Sequence, residues 1–497
     1  MRLHLQPNPD AWQPRRTNPH PTPDTLVADR QALLDALHYN AEAFNLPRPA
    51  LAAADITPAA PPTILATGHQ ASLYHPGILA KDFALQALAA QHPGSLAFHL
   101  VVDQDIYDTT TAALPHTHAR TLHLQTLHLA NSNASPNSPA TLLPPAQMQP
   151  AGSMPAALTQ ALDQLAQDPR AQTRAQQLAQ LHHHLKAPLG LHLPVLFTTD
   201  LPRLPAFIRF VDQLLADPHH AIATYNAAVA QHPDAGITPL LTHEDRLELP
   251  LWYLDPTSKA QPRQRVYTTP QAPHHPFTLQ HDTLPASGSL APRALTLTAV
   301  LRLTLTDAFI HGTGGYAYDQ ITTQWLNDWL GPSHQPAPVF AASADLYFDF
   351  PGLPVASPEK LQRARWLAHH LPHNPDRHLN PNDLTDADRA LIARKRHLLD
   401  HMHDDRDRTR RQSAFQELHR LNAELHAQHP SLLEHARRQL ADAEAGIRNH
   451  ALATKRDWPY FAYPTHQLNQ LATAIQDAFA PHRSPQRPAV GRSTTTP

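Results

Sequence analysis

The segment Thr63–Val102 carries a strand, a turn, a helix and a second strand within about forty residues. The runs Thr63–Thr67 and Ala97–Val102 are short and apolar, which is typical of buried strands. Between them, the apolar residues of Gly77–Gln91 recur at helical spacing. Two buried strands joined by one helix are expected to lie parallel, with a right-handed crossover. The pattern therefore predicts an α/β fold whose core is a parallel sheet.

Other segments extend this core. The spacing of leucines predicts an amphipathic helix over Asp24–Phe44, whereas residues 1–23 are rich in proline and asparagine and are predicted to be irregular. Leu193–Thr199 is predicted as a third core strand, and Val339–Phe350 contains another. The alternation over His118–Leu129 is typical of an edge or antiparallel strand.

The C-terminal third of the chain is predicted to be helical. Thr385–His429 has the pattern of one long helix, which ends at Pro430. A second helix is predicted to start at Ser431, because Glu434 three residues later would complete a capping box. We expect the two helices to form an antiparallel hairpin, or coiled coil.

The predicted fold class is thus α/β, with a Rossmann-like parallel sheet core, a small inserted subdomain and the helical hairpin. The chain of 497 residues exceeds the usual size of one compact core, so several parts are expected. We divide it into 1–62 (N-terminal helix and linker), 63–254 (first part of the core), 255–292 (inserted connection), 293–384 (second part of the core, with a glycine loop), 385–455 (hairpin), 456–482 (return to the core) and 483–497 (disordered tail).

Composition excludes several classes of function. With a net charge of −3, the chain lacks the excess of basic residues that is typical of a protein that binds nucleic acid or an anionic membrane. The chain contains no cysteine, which excludes disulfides, thiolate metal sites and a cysteine nucleophile. It shows neither a secretory signal pattern nor an apolar run long enough to span a membrane. We therefore expect a cytoplasmic protein that acts on small molecules.

The first candidate loop runs from Gly68 to Gly77, between the first core strand and its helix. Ligands of open α/β sheets bind at such turns, and the amide groups of the helix start favour an anion. His69, Gln70 and His75 lie in this loop, and Lys81 follows in the first turn of the helix. Lysine is rare in this chain, which favours a role for Lys81 in binding the anion. A solvated lysine and purely structural glycines remain the alternative.

Two further groups of residues are candidates. Asp103 and Asp105 follow the second strand, where alternation would point both to the same side. They would suit Mg²⁺ or the amine and hydroxyl groups of a ligand, although helix capping is an equal alternative. The segment His311–Gly315 contains three of the fourteen glycines, and Tyr318 follows it. Gly312, Gly314 and Gly315 would bring the backbone close to a ligand, but the segment does not match the P-loop pattern.

Histidine clusters carry little weight here. The chain has 38 histidines, so groups such as His182–His184 are expected by chance, and no HExxH motif accompanies them. We therefore predict no dedicated metal site formed by histidine.

These motifs together resemble the bacillithiol-biosynthesis cysteine-adding enzyme family. Its first signature reads approximately TGQQ-GLF-GP…K, its acidic motif resembles EDHD, and its later signature is approximately Y-V-G-G-P-x-E-I-A-Y. In this chain His69 replaces a glutamine, Gln104 a histidine and Gly315 a glutamate. The predicted hairpin matches the helical coiled-coil domain of the family. The corresponding residues are Thr67–Gln70, Leu73, Tyr74, Lys81, Asp103–Asp105, Phe309–Tyr318 and Phe461–Pro464.

The resemblance implies a nucleotidylyl-transferase-like Rossmann fold, a homodimer formed through the helical domain, and the joining of an amino acid to an amino-sugar conjugate. Such a reaction requires activation of a carboxylate, for which ATP or ADP with Mg²⁺ is the expected cofactor. A nucleotidyl-transferase acting on another small molecule, and a non-catalytic nucleotide-binding protein that assembles through its hairpin, are the alternatives.

On this interpretation, each candidate residue receives a role. His69, Gln70 and Lys81 would hold the anionic group, and His75 would donate or carry a proton. Asp103 and Asp105 would hold the amine or a metal. The remaining candidates would form the walls of the pocket: Gly68, Gly77, His311, Gly312, Gly314, Gly315 and the hydrogen-bonding Tyr318.

Overall fold

The computed structural model describes residues 1–14, 22–52, 56–57, 61–130, 138–149, 154–269, 277–279, 284–348, 350–404 and 406–480. The predicted tail 483–497 lies outside these ranges. The chain forms two compact units: unit 1 comprises 1–114, 126–346 and 456–497, and unit 2 comprises 115–125 and 347–455. No helix among the described residues is both long and apolar enough to cross a membrane.

Unit 1 contains a six-stranded mixed sheet of strand order β1-β11-β10-β2-β3-β6. Strand β1 is antiparallel to β11, and the other neighbouring pairs are parallel. The protein is therefore an α/β protein with a mostly parallel sheet, as predicted. The strands of this sheet are β1 (Arg2–Gln6), β2 (Ile64–Gln70), β3 (Leu96–Val102), β6 (Val195–Phe197), β10 (Ala308–His311) and β11 (Val339–Asp345).

Several helices of unit 1 pack against this sheet or connect its strands. The predicted strand-helix-strand unit is confirmed, because β2 and β3 pair in parallel and α2 joins them in the chain. The helices are α1 (Pro23–Phe44), α2 (Pro76–Ala90), α3 (Ala156–Gln167), α4 (Arg174–Lys186), α5 (Pro205–Ala216), α6 (Pro218–Ala230), α7 (Ala294–Val300), α8 (Thr313–Leu330) and α13 (Thr465–Phe479).

The prediction that residues 1–23 are irregular was wrong for β1. The strand is only five residues long, and it pairs with β11, which is distant in sequence, for example Leu3 with Ala344. A segment this short gains its hydrogen bonds only from a partner distant in sequence, which local periodicity does not reveal.

Two small sheets complete the strands. In the first, β7 (Leu247–Leu254) pairs antiparallel with β8 (Arg263–Thr268) and with β9 (Ser289–Pro292). The strands β8 and β9, which lie in the segment 255–292 predicted as an insertion, thus pair with β7. In the second sheet, β4 (Thr111–His118) lies beside β5 (Thr121–His128).

Unit 2 contains α9 (Pro358–His370), α10 (Asp386–Asp404), α11 (Arg408–Gln428) and α12 (Pro430–Ala453). Helix α12 packs closely on the segment before α9. A Cβ atom added at Gly446 would lie only 2.7 Å from the amide nitrogen of Ala356. The side chain of Asn449 accepts a hydrogen bond from the amide of Leu122 (2.7 Å) and donates one to the carbonyl of Pro354 (2.9 Å). These contacts tie α12 to the β4–β5 turn and to the start of α9.

The prediction of one helix over Thr385–His429 was wrong. Helix α10 ends at Asp404 and α11 begins at Arg408, with the side chain of Asp407 accepting hydrogen bonds from the amides of Thr409 and Arg410. An aspartate that caps a new helix competes with continuation of the previous one. The predicted capping box at Ser431 is also absent, because α12 already begins at Pro430.

Candidate active site

A cavity of about 340 Å³ lies in unit 1 at the carboxyl ends of β2, β3 and β10. From β2 the chain continues to β3 on one side, whereas β10 and β11 lie on the other side of β2. The strand order thus reverses between β2 and β10, and crevices at such reversals bind ligands in open α/β sheets. The lining consists of Gly68, His69, Gln70, His75, Ile78, Lys81, Leu100, Val102, Gln104, Asp105, Ala294, Leu297, Thr298, Phe309, His311, Gly312, Thr313, Gly314, Gly315, Tyr318, Ser343 and Arg456.

The two predicted loops therefore meet in one cavity, although more than 200 residues separate them in sequence. Every predicted site residue contributes to the lining except Asp103 and Gly77.

Gly77 has a packing role. Its amide donates to the ring Nδ1 of His75 (3.1 Å), and an added Cβ atom would lie 2.8 Å from the carbonyl oxygen of Ala344. Glycine at this position allows α2 to approach β11 closely.

Asp103 is buried and points away from the cavity. Its carboxylate accepts hydrogen bonds from the hydroxyls of Thr198 (2.6 Å) and Thr199 (2.5 Å) and from the amide of Thr199 (3.1 Å). Burial raises the pKa of Asp103 to about 6, against the lowering effect of these hydrogen bonds. We conclude that Asp103 fastens the end of β3 to the segment that follows β6.

Asp105 lines the cavity but is paired with Arg263, whose guanidinium lies 2.7 Å from the carboxylate. The prediction that Asp103 and Asp105 face the same side was wrong, because β3 ends at Val102 and strand alternation no longer applies beyond it. Within the described ranges, no group of three or more acidic or histidine side chains is arranged to hold a metal ion. The two aspartates do not fit a Mg²⁺ site.

The amino end of α2 does not provide the free amides that the sequence predicted. Pro76 has no amide hydrogen, and Gly77 donates to the His75 ring. The amides of Ile78 and Leu79 donate to the carbonyl of His75 at 2.9 and 3.3 Å. His75 thus caps the helix completely, and an anion would find no unoccupied donor there.

The amino end of α8 has the opposite character. Its N-cap residue, Gly312, has no side chain to cap the helix, and the first turn is closed by the amide of Tyr316 donating to Gly312 (2.9 Å). The amides of Thr313, Gly314 and Gly315 have no partner among the residues that the structure describes. Added Cβ atoms at Gly312 and Gly314 would meet nothing within 4 Å. These donors line the cavity, where they and the helix dipole favour an anion.

Lys81 lies in the second turn of α2 rather than the first, and only 2% of it is exposed. Its ammonium donates a hydrogen bond to the carbonyl oxygen of Gly68. Burial lowers the pKa of Lys81 to about 8, although Asp82 opposes this shift. The cavity therefore contains a buried ammonium group whose charge is lost in mildly alkaline solution.

His311 ends β10 and is 8% exposed. The Nδ1 edge of its ring packs against Gly315, where an added Cβ atom would lie 2.4 Å from Nδ1. The imidazole therefore occupies the space that a side chain at residue 315 would need. Burial lowers the pKa of His311 to about 4, against the effect of Asp319.

Behind His311 lies a buried ion pair. Asp319 is fully buried on α8 and accepts hydrogen bonds from Arg302 (2.7 Å) and from the hydroxyl of Thr298 (2.6 Å). Burial alone would raise the pKa of Asp319, but Arg302 and His311 together hold it below its usual value. Asp319 Oδ2 lies 3.9 Å from Nε2 of His311.

The first candidate loop, Gly68 to Gly77, packs against α4 and the C-terminal return. Tyr74 stacks on His182 with ring centroids 4.4 Å apart, and its edge contact with His69 spans 5.2 Å. Nδ1 of His182 lies 2.9 Å from the hydroxyl of Tyr460, whose amide donates to the carbonyl of Tyr74 (2.9 Å). Burial, followed by the charge of Lys81, lowers the pKa of His69 well below its usual value. The C-terminal return thus positions the loop.

Sequence reasoning missed several residues of the cavity. Arg456 lines it and forms an ion pair with Asp345, while Thr298 and Ser343 add hydroxyl groups. None of them belongs to a local motif, and they are brought to the site only by the fold. Gln104, noted in the sequence only as a departure from the acidic motif, also lines the cavity.

Comparisons with known proteins add no assignment, since no family model matches the chain and no curated protein matches it either. The family resemblance therefore depends on the short motifs alone.

Proposed function

We propose that this protein is a ligase-like enzyme that joins the carboxylate of an amino acid to the amine of a small, amino-sugar-type acceptor. The proposal combines the resemblance to the cysteine-adding family with one structural observation. That observation is the meeting of the two predicted loops in a cavity that contains a buried ammonium group and the uncapped amino end of α8.

The chemistry of amide formation suits these groups. A carboxylate is a poor electrophile, so it must first be activated as an acyl phosphate or acyl adenylate, with ATP as the co-substrate. The amides of Thr313–Gly315 and the ammonium of Lys81 would hold the phosphate group. Asp105 would hold the acceptor amine. The amine must then compete with Arg263 for the carboxylate of Asp105. We assign no step to Mg²⁺, because the predicted aspartate pair is divided between two environments.

The strand order supports a Rossmann-like assignment for the core, since the cavity lies where that order reverses. We extend the proposal to a cytoplasmic location, where ATP and amino acids are supplied.

The proposed function is tested first by thermal unfolding with ATP or ADP, each with and without Mg²⁺. A ligand present at 100 times its Kd stabilises the folded protein by about 2.7 kcal/mol. Amino-acid-dependent exchange of pyrophosphate into ATP then tests adenylation, and release of phosphate tests the acyl phosphate route. We expect nucleotide stabilisation together with one of these two activities.

Other outcomes would favour the alternatives. Nucleotide binding without any reaction of an amino acid indicates a nucleotide-binding protein. Exchange that depends on another small molecule indicates a nucleotidyl-transferase. If neither nucleotides nor amino acids shift the melting temperature, and Lys81→Met does not change the affinity of the protein for any ligand, the ligase proposal fails.

Anion binding is predicted to weaken above about pH 8. The pKa of Lys81 is about 8, so its ammonium loses its proton as the pH rises through this value. The affinity for sulfate should be constant between neutrality and pH 8, then fall by up to about tenfold per unit above it. Titration calorimetry measures the affinity. Lys81→Met should bind sulfate weakly at every pH, and a variant that keeps the wild-type profile would contradict the assignment.

We also propose that the helical segment 385–455 forms an antiparallel hairpin through which two copies of the chain dimerise. Leu399 on α10 is 45% exposed and Phe415 on α11 is 56% exposed, so both are available to a partner. We expect the wild type to sediment as a dimer, and both Leu399→Glu/Phe415→Glu and deletion of 407–441 to sediment as monomers. Ile208→Glu, an exposed apolar residue of unit 1, is the matched control. An unchanged dimer in the variants would refute this role.

A further inference from the structure

The environment of His311 differs from that of the other histidines in the cavity. Nε2 of His311 is buried and has no hydrogen-bond partner among the described residues. By contrast, Nδ1 of His75 accepts a hydrogen bond from the amide of Gly77. A buried, unsatisfied ring nitrogen at a cavity wall is costly, which calls for a functional explanation.

The two edges of the imidazole face groups of different charge. Nδ1 packs against Gly315, whose amide is one of the free donors at the amino end of α8. Nε2 lies 3.9 Å from the carboxylate of Asp319. A protonated imidazole has two N–H donors, so it could donate to an anion on one side while Asp319 compensates its charge on the other.

We propose that His311 is the proton-accepting group of this cavity, which takes up a proton when an anion binds at the amino end of α8, and that Asp319 is its positioning residue. The inference rests on the proposed function, because it requires an anion site at α8.

The neighbouring charges explain why binding is needed. Lys81 on α2, and Arg302 in the turn after α7, both disfavour a proton on His311, whereas Asp319 on α8 favours it. Tyr318, also on α8, contacts the ring with its edge at 5.4 Å, and burial, followed by Asp319, raises the pKa of its hydroxyl so that it stays neutral. Burial and the two cations favour neutral His311, and an anion beside Gly315 reverses the balance.

The same proton acceptor completes amide formation. The lone pair of the acceptor amine forms the new carbon–nitrogen bond, and the bond from the acyl carbon to the phosphate oxygen breaks, with its electron pair leaving on the phosphate of the acyl phosphate or adenylate. His311, protonated when this anion bound, passes its proton to the leaving phosphate oxygen and, neutral again, accepts the proton lost by the amine nitrogen.

The experiment measures proton uptake during sulfate binding by titration calorimetry in two buffers of different ionisation enthalpy. Sulfate does not titrate in this pH range, so any uptake belongs to the protein. An adjacent opposite charge raises a pKa by one to three units, so at about pH 5.5 we expect uptake on the order of half a proton per sulfate. The affinity should also increase by up to about tenfold per unit as the pH falls through the raised pKa.

His311→Gln should remove this uptake. His183→Gln is the matched control, because burial also lowers the pKa of His183 to about 4 while its ring lies outside the cavity lining. It should keep the wild-type uptake. Uptake that persists in His311→Gln, or that is lost in His69→Gln instead, overturns the inference but leaves the anion site intact.

The wild type provides a test that needs no variant. If it binds sulfate at about pH 5.5 without proton uptake, the inference is wrong even if His311→Gln does not fold. If sulfate does not bind at all, the anion site of the proposed function fails, and the inference with it.

Discussion

Gly312→Asp is expected to abolish sulfate binding while the fold remains as stable as before or becomes more stable. Gly312 has φ −72° and ψ 168°, a conformation that suits an aspartate N-cap, and an added side chain meets nothing within 4 Å. The new carboxylate would accept hydrogen bonds from the free amides of α8 and repel the anion. Capping and the helix dipole together should raise the free energy of unfolding by up to about 1 kcal/mol. Calorimetry should show at least a tenfold loss of sulfate affinity.

Two variants separate the causes of this loss. Gly312→Asn caps the helix without adding a charge, so it should reduce the affinity less than aspartate does. Gln320→Ala changes an exposed residue of the same helix outside the cavity lining, so sulfate binding should be retained. If Gly312→Asp binds sulfate as tightly as the wild type, the anion does not bind at α8.

Arg302→Met is expected to destabilise unit 1 by about 3–5 kcal/mol, because it leaves the fully buried carboxylate of Asp319 without its counter-ion. The guanidinium also donates to the carbonyl of Ala337 (2.7 Å) and to the hydroxyl of Thr323 (2.8 Å), so several hydrogen bonds are lost together. Denaturant unfolding at neutral pH measures the loss.

The pH dependence of this loss has a definite sign. Without Arg302 the pKa of Asp319 rises, since the largest of the effects that oppose burial is removed and those of His311, Thr298 and Thr322 remain. The variant should therefore recover part of its deficit as the pH falls and the carboxyl group takes up a proton. The double variant Arg302→Met/Asp319→Leu removes both charges and should be more stable than Arg302→Met alone. A deficit below about 1 kcal/mol in the single variant would show that the pair is not an important contact.

The local pattern of the sequence was sufficient for the central strand-helix-strand unit. β2, α2 and β3 follow one another within about forty residues, and each has its own periodicity. The sequence also indicated both loops of the cavity, because glycines and a rare lysine follow strand ends there. It failed for β1 and for the break between α10 and α11, where a distant partner or a competing cap decides the structure.

The chemistry of the two helix starts was predicted less well. The sequence indicated that α2 would present free amides, yet the ring and carbonyl of His75 occupy them. Whether a histidine side chain turns back onto its own helix depends on the packing around it. The corresponding donors proved to be those of α8, where a glycine at the N-cap leaves the amides without a side-chain acceptor.

By itself, the sequence determined that the core has an α/β fold and that polar loops follow its strands. Both properties can be recognised from the periodicity of residues close in the chain. Only the tertiary structure decided which of those polar groups share a cavity. Asp103 was turned toward Thr198 and Asp105 toward Arg263, while Arg456 was brought in from the C-terminal return. Hydrogen-bond partners distant in sequence set these directions, so no local pattern contains them.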